Sequence, residues 1–183
     1  MKNVLFCPSM FRIGLGHDTH RLVDGSSILL GGVRIKHTRS LLGHSDADVV
    51  LHAIIDALLG AAGLGDIGEL FPDTDPVHRN RNSAEMLQIA WNQVQQHRWQ
   101  IVNLDIVLLA EQPKISPHKE AIRLRIAEIL GINAAHVGLK AKTGEKIGII
   151  GREEAISAEC VVLLQSMEAA GTATQQNNQT RRI

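Results

Sequence analysis

The chain has no tyrosine, three phenylalanines and two tryptophans, so aromatics make up only 3 % of its 183 residues. Its core must therefore be aliphatic, and a hydrophobic fraction of 44 % is ordinary for a globular chain. Cysteine is equally scarce. Cys7 and Cys160 stand far apart and form no Cys-x-x-Cys pair, which excludes a disulfide framework. The compartment expected from that usage is reducing and cytoplasmic. Neither sign of charge dominates, since 19 Lys and Arg balance 19 Asp and Glu. That balance argues against nucleic acid or an anionic membrane as the main partner. No apolar run reaches the ~20 residues of a membrane span. The opening MKNVLFCPSMF is too short for a secretory signal and lacks transit-peptide character. Residues 1–11 are expected to be an N-terminal extension or to reflect a start-site choice. No internal repeat, dinucleotide fingerprint or Walker-type phosphate loop is present; Gly14 and Gly16 supply only GxG.

What is present alternates strands with helices. Residues 12–18 (RIGLGHD) predict a strand whose glycines let something approach closely. Residues 28–30 and 33–35 flank Gly31-Gly32 as a hairpin. Ser45 or Asp46 is expected to cap a helix reaching about Leu59, ended near Gly60 and Gly63. Residues 65–75 read as an acidic, turn-rich loop. Ser83 begins a second helix, with Glu85 in its first turn, reaching about His97. Residues 101–110 predict a strand. Pro113 and Pro117 bound a loop before a helix to about Leu130, stopped by Gly131. Residues 137–142 and 155–166 predict the last strands. The tail, residues 168–183, is expected to be disordered, because it is polar and aperiodic from Gly171 onward. Residues 12–167 suit a single domain of α/β or α+β class.

Three constellations carry chemistry. In the first, His17-Asp18-Thr19-His20, alternation along a strand puts Asp18 and His20 on one face and His17 and Thr19 on the other. His52, in the first predicted helix, can join Asp18 and His20. One carboxylate and two imidazoles suit zinc, or another divalent cation, with a fourth position left open, as in catalytic sites. His44, Asp48, His52 and Asp56 recur every four residues, a ridge opposite the apolar Val49, Val50, Ala53, Ile54, Ala57 and Leu58. Of its carboxylates, Asp56 is the better placed to orient a ligand imidazole from behind. The alternative reading makes His52 a satisfied core histidine and the aspartates simple caps.

The second constellation is Lys140-Ala141-Lys142-Thr143-Gly144-Glu145-Lys146, just after a strand. Lysines and a threonine hydroxyl suit phosphate oxygens. Glu145 can hold a hard cation that also bridges phosphates. Taken in isolation, the same residues read more readily as an exposed basic turn. The third is the 65–75 loop, whose three aspartates can accept hydrogen bonds from a polyol or merely form Asx-turns. Together the three point to a phosphorylated small molecule and to phosphoryl chemistry driven by positioning and charge neutralisation.

Several segments go further. RIGLGHDTH (12–20), the glycine hairpin with VRI (28–35), LLGHSDADVVLHAIIDALLGAAGLGDIGELFPDTDP (41–76), PKISPH (113–118), KAKTGEKIG (140–148) and GREE (151–154) resemble the 2-C-methyl-D-erythritol 2,4-cyclodiphosphate synthase family, the cyclising enzymes of the non-mevalonate (MEP) isoprenoid pathway. The resemblance spans roughly residues 12–165. It implies an α/β (α+β sandwich) subunit, a mixed β-sheet with helices packed on one face. Such subunits assemble as a homotrimer around a central β core, with active sites between neighbours. It implies a phosphorus–oxygen lyase that converts 4-diphosphocytidyl-2-C-methyl-D-erythritol 2-phosphate to the 2,4-cyclodiphosphate and CMP.

Carried over by position, the resemblance assigns zinc to Asp18, His20 and His52, and magnesium or manganese to Glu145. His44 and Ser45 match residues that contact phosphate and the erythritol unit; Asp48 and Asp56 match the helix carboxylates. Asp66, Gly68, Phe71 and Asp73 match the loop holding the methylerythritol hydroxyls. Ala110, Pro113, Lys114, Ile115 and Ala141 match the cytidine pocket, and Lys142 and Thr143 the diphosphate site. Ile149 and Arg152 fall beside an axial cavity that can hold an isoprenoid diphosphate, with Arg152 as its cation. Four positions depart from the family pattern: His17 for a residue often aromatic and apolar, Lys142 for Thr, Gly144 for Thr or Ser, and Ile149 for Phe. Two competing expectations are a zinc hydrolase yielding a linear product and a regulatory protein that only binds nucleotide or isoprenoid diphosphate.

Overall fold

Burial along the first strand alternates, and that alternation sets the architecture. The computed structural model describes residues 11–78 and 81–167, and the expectations for residues 1–10 and 168–183 lie outside it. Phe11, expected in the extension, instead opens β1 (Phe11–Asp24), which is followed by β2 (Ser27–Leu30), β3 (Val33–Lys36), β4 (Arg39–Leu42), α1 (Val49–Ala62) and α2 (Ile67–Leu70). Then come α3 (Ser83–Gln96), β5 (Trp99–Leu109), α4 (Lys119–Leu130), β6 (Val137–Lys142), α5 (Gly148–Gly151) and β7 (Ala155–Ser166). Five strands form one sheet in the order β4-β1-β7-β5-β6, while β2 and β3 pair as the expected glycine hairpin. Among the described residues only β5 and β6 run parallel; the remaining pairs are antiparallel, so the sheet is mixed.

On one face of β1, Gly14 and Gly16 are buried against α1, and a Cβ on either would sit within 2.0 Å of the Ala57 or Ala53 carbonyl oxygen. These glycines let the helix lie directly on the strand. Asp18 and His20 share that face, as expected. The opposite face leaves Ile13 and Leu15 on β1, and Val161 on β7, exposed at 73, 68 and 45 %. Among the described residues the helices thus cover a single face.

Every residue of α1 except Asp56 and Gly60 is buried. This corrects the expected amphipathic ridge: α1 is the central helix, between the sheet and α3. Fully burying a Leu or Ile side chain contributes ~1.5–3 kcal/mol, and α1 carries five at 0 % exposure. By contrast α3 buries Met86, Leu87, Ala90, Trp91 and Val94, a stripe at helical spacing.

The start of α1 also differs from expectation. Its cap is Asp48, not Ser45 or Asp46. Asp48 is fully buried and accepts from the backbone N–H groups of Val50 and Leu51 at 3.2 Å, and from Gly31 and Gly32 at 2.8 and 2.6 Å. One carboxylate therefore caps the helix and docks the β2–β3 hairpin. His44 consequently lies in the preceding loop rather than on the helix. Gly63, left-handed at φ 72°, ends α1. The expected 65–75 loop contains α2, capped by Asp66, which accepts from Glu69 N–H at 2.8 Å. Strand β4 and helix α5 carried no sequence expectation.

Candidate functional site

Two elements bring the three expected donors together: β1 presents Asp18 and His20 toward α1, and α1 presents His52 back. Asp18 Oδ2 lies 2.9 Å from His52 Nδ1 and 3.1 Å from His20 Nε2, and the two imidazole nitrogens are 3.1 Å apart. A tetrahedral ion with ~2.0 Å bonds needs donors about 3.3 Å apart. The triangle is therefore of the right size, and its carboxylate and imidazoles are the right chemistry for a divalent cation. These three residues can hold a metal ion.

The atoms turned away from the centre are also engaged, which fixes each donor's orientation. Thr19 N–H donates to Asp18 Oδ1 at 2.8 Å. His20 is hydrogen-bonded to the Leu42 backbone. His52 Nε2 lies 2.8 Å from Ser83 Oγ and 3.1 Å from Ser45 Oγ. Burial pushes the Asp18 carboxyl up, but hydrogen bonds from His20 and His52, with their charge, outweigh it and hold the group well below its ordinary value. Burial lowers the His20 imidazole, yet the bond and charge of Asp18 raise it overall.

The expected role of Asp56 is corrected. Its carboxylate faces α2, accepting from Ile67 N–H at 2.8 Å, and burial pushes it above its ordinary value. Asp48 likewise serves backbone N–H groups. Neither partner orients a ligand imidazole.

The donors line a cavity of about 500 Å³ together with His44, Ser45, Gly68, Phe71 and Asp73, all of them expected site residues. Asp66 is not part of that lining, since it caps α2. Asp75, one of the three loop aspartates read as polyol acceptors, also lines the cavity; sequence reasoning singled out none of Ile67, Thr74, Pro76, His78 and Met86, which complete the wall. His78 stacks edge-on against Phe71 at 5.5 Å, and the Arg81 guanidinium covers the same ring at 5.1 Å. That polar–aromatic packing had no sequence signature.

The remaining expected residues gather elsewhere. Ala110, Pro113, Lys114, Ile115, Ala141, Lys142 and Thr143 line a second cavity of about 410 Å³, with Glu111, Gln112, Ser116 and Lys146. Thr143 Oγ1 donates to Glu145 Oε1 at 2.6 Å. Glu145 and Lys146 both adopt left-handed backbone, at φ 50° and 65°. Glu111 holds this costly turn: it accepts from Gly144 N–H at 3.1 Å and pairs with Lys146 Nζ at 2.7 Å. Glu111 also escaped the sequence reading. The two cavities share no residue. Thr19, Ser157, Leu109 and Lys142 are consecutive partners across the sheet. Three steps of ~4.8 Å, or about 14 Å, thus separate the backbone of Thr19, between Asp18 and His20, from that of Lys142. Arg152, expected to supply a cation to an axial cavity, makes two contacts with Glu154, at 2.7 and 3.2 Å.

A mixed sheet with its helices on one face, and three donors able to hold a metal ion at the wall of a cavity, define an α/β protein with a candidate metal site. The chain belongs to the YgbB family, whose model matches residues 11–165. It is 51 % identical over 156 residues to the 2-C-methyl-D-erythritol 2,4-cyclodiphosphate synthase of Geobacillus sp. (strain WCH70), covering 85 % of this chain and 99 % of that protein. It is 53 % identical over 154 residues to the enzyme of that name from Bordetella pertussis, covering 84 % and 95 %. Among solved structures, it resembles IspF of Plasmodium falciparum in complex with CDP at a TM-score of 0.76 and 37 % identity, over 85 % of this chain and 96 % of that one.

Proposed function

We propose that the chain converts 4-diphosphocytidyl-2-C-methyl-D-erythritol 2-phosphate to 2-C-methyl-D-erythritol 2,4-cyclodiphosphate and CMP, as a phosphorus–oxygen lyase of the cytoplasm. The observation that carries this reading is the convergence of Asp18, His20 and His52 on one point of the first cavity, in a chain half identical to enzymes of that name. An oxygen of the 2-phosphate attacks the β-phosphorus. The bond from that phosphorus to the bridging oxygen breaks, and CMP leaves with the electron pair. Both nucleophile and leaving group are phosphate oxygens, so no protein base is required; positioning and charge neutralisation suffice. Asp18, His20 and His52 would hold zinc and Glu145 a magnesium or manganese ion, supplying Lewis-acid neutralisation of phosphate charge. His44 and Ser45 would contact phosphate, and Gly68, Phe71 and Asp73 would enclose the methylerythritol unit. The second cavity would take the cytidine, with Lys142 and Thr143 at the diphosphate.

The active unit on this reading is a homotrimer. The exposed Phe11, Ile13, Leu15 and Val161 form an apolar sheet face that association would cover. A site shared between neighbours also reconciles two cavities that lie apart within one chain. The test is CMP release: metal-stripped protein is expected to release none, and zinc with magnesium to restore it. Release that persists in full after chelation would contradict the reading.

A further inference from the structure

We propose that Ser83 and Asp46 are positioning residues for the metal: they fix the His52 imidazole in the tautomer that turns its Nδ1 lone pair toward Asp18 and His20. The inference rests on the metal site and not on the cyclisation itself. Ser83 is 0 % exposed at the first turn of α3, and its Oγ lies 2.8 Å from His52 Nε2. It binds Asp46 twice: its N–H donates to Oδ2 at 3.0 Å, and its hydroxyl donates to Oδ1.

The direction of every link follows from donor and acceptor capacity. An ionised carboxylate only accepts. The Ser83 proton is therefore committed to Asp46, and Oγ has only lone pairs left for His52. His52 Nε2 must then carry the proton, so Nδ1 is the nitrogen left to give its lone pair to a metal, in place of the hydrogen bond it makes to Asp18 in the metal-free chain. Nδ1 is the atom 2.9 Å from Asp18 Oδ2 and 3.1 Å from His20 Nε2. Asp46 is itself anchored, its N–H donating to the Arg81 carbonyl at 3.2 Å and its Oδ1 accepting from Asp48 N–H at 3.4 Å.

Ser45 is not an equivalent partner. It stands farther from Nε2, at 3.1 Å, it accepts from Ala47 N–H, and it faces the cavity. Ser83 faces none. The pair joins the loop before α1 to the start of α3, so the distance between those elements becomes a condition on the metal centre. Partners of this kind typically govern 10–100-fold in metal affinity.

The test uses the full chain with Co²⁺ as probe, read by its visible absorption. Ser83→Ala is expected to weaken Co²⁺ binding by ~10–100-fold and to alter the bands at saturation. Ser83→Thr, which keeps the hydroxyl, is expected to recover most of the affinity and the wild-type spectrum. Asp46→Asn is expected to fall between them. Because Ser83→Ala can fail to fold, long-range ¹H–¹⁵N correlation on the unmodified zinc-loaded protein provides a second readout, with the proton expected on His52 Nε2. Wild-type affinity and spectrum in Ser83→Ala, or a His52 proton on Nδ1, would overturn the proposal while leaving metal binding and cyclisation intact. Failure of the wild-type chain to take up Co²⁺ would overturn the metal centre and this inference together.

Discussion

Asp18 Oδ2 and His52 Nδ1 lie 2.9 Å apart, although 34 residues separate them in the chain. The contact exists because α1 lies directly on β1, and α1 can do so only where the strand has no side chains.

Gly16→Ala tests that dependence. Its Cβ would stand 2.0 Å from the Ala53 carbonyl oxygen, a backbone atom that cannot rotate away. The helix must move off the strand and take His52 with it. Urea unfolding is expected to show a loss of about 1–3 kcal/mol or more, as for overpacked cores. Divalent-metal affinity is expected to fall in the same variant. Unchanged stability and affinity would contradict the close packing of α1 on β1.

The pH dependence of metal binding follows from His20. An imidazole raised above its ordinary value stays protonated to a higher pH, and a protonated ring cannot ligate. Metal affinity is therefore expected to climb with pH through the region just above the ordinary histidine pKa of ~6.5, then to flatten. In the metal-free protein the sign is opposite. The His20–Asp18 pairing contributes stability that is fully present below the unfolded histidine value and is lost as pH rises through the folded one. Calorimetry in two buffers of different ionisation enthalpy is expected to register proton release on metal binding near neutral pH. No release would count against the pairing.

Much of this was legible in sequence. Strands β6 and β7 follow from β-rich runs bounded by turn residues, and Asp18 with His20 follows from strand alternation alone. The start of α1 was not legible, because Ser45, Asp46 and Asp48 are all good capping residues. Asp48 prevails through the Gly31 and Gly32 N–H groups it also satisfies, a tertiary contact that no local pattern encodes. Strand β4, Arg39–Leu42, is four residues long and gains its identity only from pairing with β1. Ser83 and Asp46, 37 residues apart, read as ordinary helix-start residues until the fold sets them behind His52.

Lys142 lies in the second cavity at the end of β6. Removing its charge is expected to raise KM for the cytidyl substrate several-fold, consistent with ~1 kcal/mol for an exposed ionic contact. The metal requirement should change little. Lys142→Thr with an unaltered KM would show that the lysine does not reach the diphosphate.

Cys160 sits in β7 at 0 % exposure, and burial, helped by Asp105, pushes its thiol up to about 12. The thiolate is the reactive form. The native protein is therefore expected to leave Cys160 unmodified by iodoacetamide at mildly alkaline pH, and the denatured chain to label it fully. Mass spectrometry of the peptide carrying Cys160 reads the difference; rapid native labelling would mean that the sheet opens locally at β7.

The most direct measurement is a ³¹P NMR time course of the metal-loaded protein with 4-diphosphocytidyl-2-C-methyl-D-erythritol 2-phosphate. Cyclisation is expected to replace the substrate resonances with two mutually coupled phosphorus signals of a cyclic diphosphate, while the CMP phosphate grows in equal amount. CMP accompanied by a linear phosphorylated methylerythritol would contradict it, because the Asp18–His20–His52 centre would then be directing water, rather than the substrate's own phosphate, at the β-phosphorus.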